Sequence, residues 1–167
     1  LNAHGYPGSL SAGGAISSGQ TYSFKDYSGA DVLVPNVTFI GCRFRSNSVG
    51  MWNVLVQFAG AGTAKFSYCT FCPEPSKVAA PPNAAWPSAG TAAPVSGGDV
   101  PAYMIDITDS YQYGIRNTDG AIELDHCDIW GFGNAIDLHT SDGATITDCW
   151  IHDASHEGPA VEYHQDG

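Results

Sequence analysis

The amino-acid sequence predicts an all-β protein whose chain winds into a solenoid of stacked parallel strands. Three observations predict this fold: a glycine-rich and charge-poor composition, a repeated cysteine-containing segment, and a second repeated phrase between the copies. The 167 residues include 20 glycines, and only 14% of them are charged. Helices need periodic runs of Leu, Ala, Glu and Lys, so this composition favours a turn-rich β protein. The length suffices for one domain with a hydrophobic core.

The cysteine-containing segment occurs four times, as VTFIGCRF (37–44), AKFSYCTF (64–71), IELDHCDI (122–129) and ATITDCWI (144–151). Each copy places a large apolar residue three positions before the cysteine and Phe or Ile two positions after it. A period in the low twenties, made of short strands and turns, is typical of coiled parallel strands. The copies therefore predict three stacked columns: Phe39, Phe66, Leu124 and Ile146; Cys42, Cys69, Cys127 and Cys149; Phe44, Phe71, Ile129 and Ile151.

The second phrase reads AIDLHTSDG at 135–143 and AVEYHQDG at 160–167, and related stretches precede the other cysteine segments. Each coil is therefore predicted as strand, glycine-containing turn, strand and loop. Residues 1–30 are interpreted as an N-terminal leading strand and cap, and 31–167 as the coils. Residues 72–101 hold seven of the ten prolines and predict a long loop inserted between two coils. Because the chain stops inside the repeated phrase, we interpret it as a fragment of a longer coil.

The alternation of strand side chains predicts an outward polar face. Ile136 and Leu138 are expected to point inward, and Asp137 and His139 outward. One coil later the same pattern turns Glu162 and His164 outward. Coils stack about 4.8 Å apart, so acid should lie over acid and imidazole over imidazole. Arg116 takes the place of the acid one coil earlier, and the aspartates of the Asp-Gly phrases are expected to stack at the neighbouring turn: Asp119, Asp142 and Asp166.

This face has two interpretations. Outward polar residues occur on any half-exposed strand, and Asp-Gly is ordinary turn chemistry. Stacked like charges cost stability, however, which favours a functional role. Paired carboxylates suit glycoside cleavage, and an imidazole beside a carboxylate suits proton abstraction. The candidate catalytic residues are therefore Arg116, Asp119, Asp137, His139, Glu162 and His164.

The sequence also predicts a candidate metal ligand set and candidate sugar-contacting rings. Carboxylate oxygens suit Ca²⁺, so Asp137 and Glu162 form a candidate calcium site, and no other metal or cofactor is expected. Four aromatic residues outside the predicted core are candidate sugar-stacking rings: Trp130, Trp150, Tyr111 and Tyr113. Because Trp130 and Trp150 flank inward isoleucines, partly buried packing is an equal alternative for these two. The cysteine column is predicted to hold reduced, buried thiols that pack as small apolar residues. Cys72 makes the cysteine count odd.

Charge and hydropathy exclude other classes of partner. Six basic against seventeen acidic residues give a net charge of −11, which argues against binding a nucleic-acid backbone. The sequence contains no run of 18 apolar residues, so it predicts no membrane span. No signal peptide is evident.

The stacked cysteine segments with their Gly and Asp-Gly phrases resemble the right-handed parallel β-helix superfamily of pectate-lyase-like proteins. Within it, residues 125–167 are similar to β-helix proteins of actinobacteria and of the tails of their phages. The resemblance covers about residues 31–167 and implies recognition or cleavage of polysaccharides outside the cell or on a virion surface. NTDG at 117–120 is similar to the first acid-bearing motif of polygalacturonases, but the motifs that should follow it are not seen. Pectate lyases use a basic residue beside Ca²⁺-binding acids, which Arg116 near Asp137 and Glu162 resembles.

Three functions follow as expectations. The first is a glycan-recognising protein of a phage tail or a cell surface. The second is a polysaccharide-cleaving enzyme, either a lyase or a glycoside hydrolase. The third is a structural stalk, with a homotrimer as its assembly. The incomplete catalytic motifs disfavour the enzyme, and the polar face disfavours the stalk, so the first is preferred.

Overall fold

The computed structural model of the protein describes residues 5–6, 9–46, 50–73, 105–106, 111–139, 142–152 and 155–156. These residues form strands and connecting turns. In chain order the strands are β1 (Ser11–Ala12), β2 (Thr21–Ser23), β3 (Lys25–Ser28), β4 (Ala30–Val32), β5 (Val37–Ile40), β6 (Arg43–Ser46), β7 (Gly50–Gln57), β8 (Thr63–Ser67), β9 (Thr70–Pro73), β10 (Ile105–Asp106), β11 (Tyr111–Asp119), β12 (Ala121–Asp125), β13 (Asp128–Trp130), β14 (Asn134–Leu138), β15 (Gly143–Thr147), β16 (Trp150–His152) and β17 (Ser155–His156).

Three parallel sheets build the fold. Sheet A has the strand order β1-β3-β6-β9-β13-β16, sheet B β15-β12-β8-β5-β2, and sheet C β14-β11-β7-β4. Successive coils pass through sheets B, A and C, so each strand pairs with its counterpart one coil away. The strands β10 and β17 form a separate parallel pair. The predicted all-β parallel solenoid, a parallel β-helix, is therefore confirmed.

The three apolar columns predicted from the repeats lie in register. Phe39 pairs with Phe66, and Phe66 with Leu124, in sheet B. In sheet A, Phe44 pairs with Phe71 and Phe71 with Ile129. These six residues are fully buried, at 0 or 1% exposure. Ile146 and Ile151, the members of the same columns in the fifth coil, lie in register with them but are 45% and 46% exposed. The hydrophobic core is thus a stack of equivalent side chains inside the coil, as its sequence period requires.

The cysteine column occupies the corner between sheets B and A. In every coil the residue before this position has a left-handed backbone, with φ between 48° and 60°, at Phe24, Gly41, Tyr68, His126 and Asp148. The thiol that follows donates hydrogen bonds to carbonyls at the turn; Cys69, for example, contacts the oxygens of Phe39 and Ser67. The thiols are free, and burial raises the pKa of the Cys69 and Cys72 thiols, which leaves them unreactive.

The structure describes the two ends of the predicted insertion and most of residues 1–30. Strand β9 contains Cys72 and ends at Pro73, and β11 begins at Tyr111. The rest of the predicted loop 72–101 lies outside the described residues.

Of residues 1–30, β1 stacks on the edge of sheet A, and β2, β3 and the first residue of β4 belong to the first coil. The described part of the chain contains no helix with the length and apolarity needed to cross a membrane.

Candidate functional site

The outer face of sheet C, the sheet formed by β4, β7, β11 and β14, carries two polar and aromatic columns. Trp52, Tyr113 and Asn134 lie in register in the first column. Leu55, Arg116 and Asp137 form the second. Val54, Val56 and Ile115, in the columns between and beside them, are buried in the core. In β7 the two residues between these columns, Asn53 and Val54, are both buried. The strand therefore departs from strict alternation there, and Trp52 and Leu55 both lie outside the core although they stand three positions apart.

Arg116 is the centre of this face. It pairs with Asp137 in the strand register, and its Nε lies 3.5 Å from an Asp137 carboxylate oxygen. The two side chains are 18% and 24% exposed. The guanidinium carbon lies 5.0 Å from the ring centroid of Tyr113 and 5.8 Å from that of Trp52. Arg116 thus holds two rings and one carboxylate together by cation–π and ionic contacts.

The structure describes only some of the residues that are predicted to lie beside Arg116 and Asp137. His139 is exposed at the end of β14, and its backbone N–H donates to the carbonyl of Asn117 at 2.9 Å. Leu138 lies in the inward column with Val56, yet its side chain is 45% exposed. Glu162 and His164 lie outside the described residues, so the predicted stacks of acid on acid and imidazole on imidazole remain predictions.

Asp119 has a local role at a turn. Its Oδ1 accepts a hydrogen bond from the Gly120 N–H at 3.0 Å. Ala121 pairs with Gly143, so the two Asp-Gly phrases are one residue out of register. The N–H of Asp142 accordingly donates to the carbonyl of Gly120. The predicted stacking of Asp119 on Asp142 is therefore wrong, because the turn of the fifth coil holds one more residue than the repeat suggests. Asp166 lies outside the described residues.

Trp130 and Trp150 lie on sheet A, on a different face from Arg116 and Asp137. Trp130 is only 8% exposed. The ring of Trp150 stacks on the imidazole of His152, with centroids 3.8 Å apart. The Nε2 of His152 in turn lies 2.7 Å from Oδ1 of Asp128. The residues predicted as one site are thus divided between two faces, and sugar stacking by these tryptophans remains a prediction.

The N-terminal segment covers part of the outer face of sheet A. The N–H of Gly5 donates to the carbonyl of His126, and that of Tyr6 to the Thr70 hydroxyl. A Cβ at Gly5 would lie 2.4 Å from the Thr70 hydroxyl oxygen and 2.9 Å from the Asp128 Cβ, so only glycine fits. Thr70 and Asp128 are buried beneath this segment. This part of sheet A is therefore a closed polar layer, whereas sheet C presents open side chains.

An ionic cluster continues the polar layer toward the first coil. Asp26 accepts hydrogen bonds from Arg43 and from Arg45, at 2.8 to 3.1 Å. The Arg43 guanidinium also contacts the Tyr6 hydroxyl at 3.2 Å. Burial by itself would raise the pKa of Asp26, but the two arginines outweigh it and lower that pKa. The charged carboxylate is therefore the form that the fold stabilises.

We expect Asp26→Asn to reduce the stability of the protein at neutral pH and to have a smaller effect in acid. A folded-state pKa below the unfolded value contributes stability that is present above about pH 4 and lost as pH falls through the folded pKa. The check is the melting temperature of both proteins from pH 7 to pH 2.5. Asp31→Asn, at an exposed position of β4, is the matched control. A difference from wild type that stays constant down to the lowest pH would contradict the assignment.

Trp52 is the residue of the sheet C face that the sequence analysis did not single out. The signal was present: Trp52 and Tyr113 both stand three positions before the residue that aligns with Asp137. The cysteine-centred repeat marks only sheets B and A, where the apolar columns are strongest. The register across β7 and β11 is what brings both rings to Arg116.

Comparisons of the chain with protein-family models, with curated proteins and with solved structures find no match. The fold therefore rests on the strand pairing described above. The candidate functional face is distinguished by the exposure, charge and ring contacts of its own side chains.

Proposed function

We propose that the protein binds a glycan on the outer face of sheet C. The observation that carries the proposal is the arrangement of Trp52 and Tyr113 around the Arg116–Asp137 pair. Trp52 is 37% exposed. Aromatic rings present an apolar surface with a polar edge, which suits the mixed faces of a sugar ring. Guanidinium and carboxylate groups beside the rings supply donors and acceptors for its hydroxyls.

The solenoid favours a repeating polymer over a single small molecule. Equivalent positions recur along sheet C at the coil spacing of about 4.8 Å, so successive units of a chain meet similar backbone geometry. The net charge of −11 disfavours a polyanionic glycan, because the surface would repel it. A neutral envelope polysaccharide is the preferred ligand class, and Ca²⁺ held by Asp137 and Glu162 is the route by which an acidic one would bind.

The biological setting of this proposal is a phage tail or a cell surface, as the β-helix resemblance implies. A homotrimer is the assembly in which such a protein would display its outer faces. Light scattering of the purified chain tests the trimer independently of any ligand.

We expect Trp52→Ala to weaken glycan retention roughly tenfold, or about 1.4 kcal/mol. The reason is the loss of the exposed ring and of its contact with the Arg116 guanidinium. Affinity electrophoresis in gels containing actinobacterial envelope polysaccharides measures the change. Trp150→Ala on sheet A is the matched control. Weakening by the Trp150 variant alone would move the binding face to sheet A, and weakening by neither would remove both rings from the ligand contact.

Cleavage is the second candidate function, favoured by an outward Asp137 carboxylate beside a guanidinium, with His139 two residues further along the chain. The same polysaccharides and pectin, with and without Ca²⁺, are incubated with the protein. New reducing ends together with unsaturated uronate would identify a lyase, and reducing ends alone a hydrolase. Retention without product supports binding alone. If the protein is neither retained by a polysaccharide nor forms a product, the result would favour the structural stalk.

A further inference from the structure

A second cluster of side chains lies at the corner between sheets B and A. Asp125 and His126 come from the fourth coil, and Asp148 from the fifth. Ligand atoms of these three side chains all lie within 4.8 Å of one another. His126 and Asp148 occupy the same left-handed turn position in consecutive coils, with φ of 51° and 48°. The stacking of coils thus brings an imidazole and two carboxylates to one point.

The distances within the cluster suit metal coordination. The Nδ1 of His126 lies 2.8 Å from Oδ1 of Asp125. In tetrahedral coordination two ligand atoms, each about 2.1 Å from a shared metal ion, are separated by about 3.4 Å, so this pair would open by about 0.6 Å to hold the ion. The ring of Tyr68 stacks on the imidazole at 4.8 Å, one coil earlier in the same corner. That contact restricts the orientation of the imidazole plane before any ligand arrives.

Electrostatics also favours a cation. The carboxylates of Asp125 and Asp148 converge in a chain whose net charge is −11. A bound cation would offset their mutual repulsion. The side chains of Asp125 and His126 are 44% and 33% exposed, so an ion can reach them from solvent.

We propose that Asp125, His126 and Asp148 bind a divalent transition metal ion, with Zn²⁺ as the representative. One imidazole nitrogen and two carboxylate oxygens suit Zn²⁺ or a neighbouring first-row ion. Ca²⁺ and Mg²⁺ prefer sets made only of oxygen, so this site discriminates against them. The ion links the fourth coil to the fifth and stabilises their stacking. This site is separate from the sheet C face and does not depend on the proposed glycan binding.

The test uses substitutions that preserve the turn. Asn tolerates the left-handed backbone better than other non-glycine residues, so His126→Asn and Asp148→Asn remove ligands without straining the corner. Phe24→Asn makes the same change at the equivalent turn of the first coil and is the matched control. Zn²⁺ is titrated into each full-length protein by isothermal titration calorimetry. Melting temperatures are recorded with and without Zn²⁺, and with Ca²⁺ instead.

The expected result is one equivalent of Zn²⁺ fewer in both ligand variants than in wild type and in the Phe24 variant. The increase in melting temperature caused by Zn²⁺ should shrink in the same two variants, and Ca²⁺ should not replace Zn²⁺. An unchanged stoichiometry in either ligand variant overturns the proposal. So does an absence of Zn²⁺ binding by wild type, which would leave the contact between His126 and Asp125 as a purely structural one.

Discussion

Replacing Phe66 with Ala is expected to lower the free energy of unfolding by about 3–5 kcal/mol, the range for a fully buried phenylalanine. Phe66 is 0% exposed at the centre of the aromatic stack. Its ring centroid lies 5.1 Å from that of Phe39, 5.7 Å from Phe44 and 5.5 Å from Phe71. The loss removes both buried apolar area and aromatic contacts with neighbours in two sheets. A rigid stack of coils can close the resulting cavity only in part.

Urea unfolding followed by circular dichroism measures this effect. Phe24→Ala is the matched control, because Phe24 is 41% exposed at the corner and leaves no comparable cavity. We expect the control to cost less than about 1 kcal/mol, as surface substitutions usually do. A Phe66 variant as stable as the control would show that the aromatic column does not carry the stability of the solenoid.

Gly120→Ala is expected to destabilise the protein by about 2–4 kcal/mol, from overpacking and from a left-handed backbone. Gly120 has φ of 89°, which disfavours any Cβ. A Cβ at this position would also lie 2.5 Å from a ring carbon of Phe58, which is buried. The turn from sheet C into sheet B passes directly over that ring. Neither the backbone nor the ring can relax without disturbing the adjacent coil.

Gly60→Ala separates the two contributions. Gly60 has nearly the same φ, 90°, but a Cβ there would meet no atom within 4 Å. Its variant should therefore show only the backbone cost of about 1–2 kcal/mol. Thermal and urea unfolding of both variants gives the steric part by difference. Equal destabilisation of the two would mean that the Phe58 ring moves aside freely, and the close approach would then have no energetic consequence.

The two proposed sites depend on different parts of the fold. The glycan face uses side chains from the third sheet of each coil, whereas the metal cluster uses the corner between the other two sheets. Loss of Zn²⁺ binding in the Asp148 variant should leave glycan retention intact, and Trp52→Ala should leave Zn²⁺ binding intact. The two experiments therefore test the two proposals separately.

Most of the architecture was predictable because the repeats encode it directly. A column such as Phe39, Phe66 and Leu124 appears in the sequence as equal spacing from a cysteine, and stacked coils turn equal spacing into contact. The pairing of Arg116 with Asp137 followed from the same logic within sheet C. Periodicity of this kind survives insertions, since a long connection between β9 and β11 leaves the register of the strands on either side unchanged.

Tertiary structure decided the features that depend on exact turn length and on side-chain direction. One additional residue in the fifth coil moves Asp142 beside Gly120, so the Asp-Gly phrases do not stack although they read alike. The contact of Trp52 with Arg116 joins residues that no shared motif marks. Asp148 and His126 occupy one repeated position, but their convergence depends on the direction of their side chains at the corner. By itself the sequence determined the solenoid, its core columns and its acidic charge, because these depend on period and composition. Only the tertiary structure decided which outward residues come into contact, because each turn sets the register and direction of the side chains beside it.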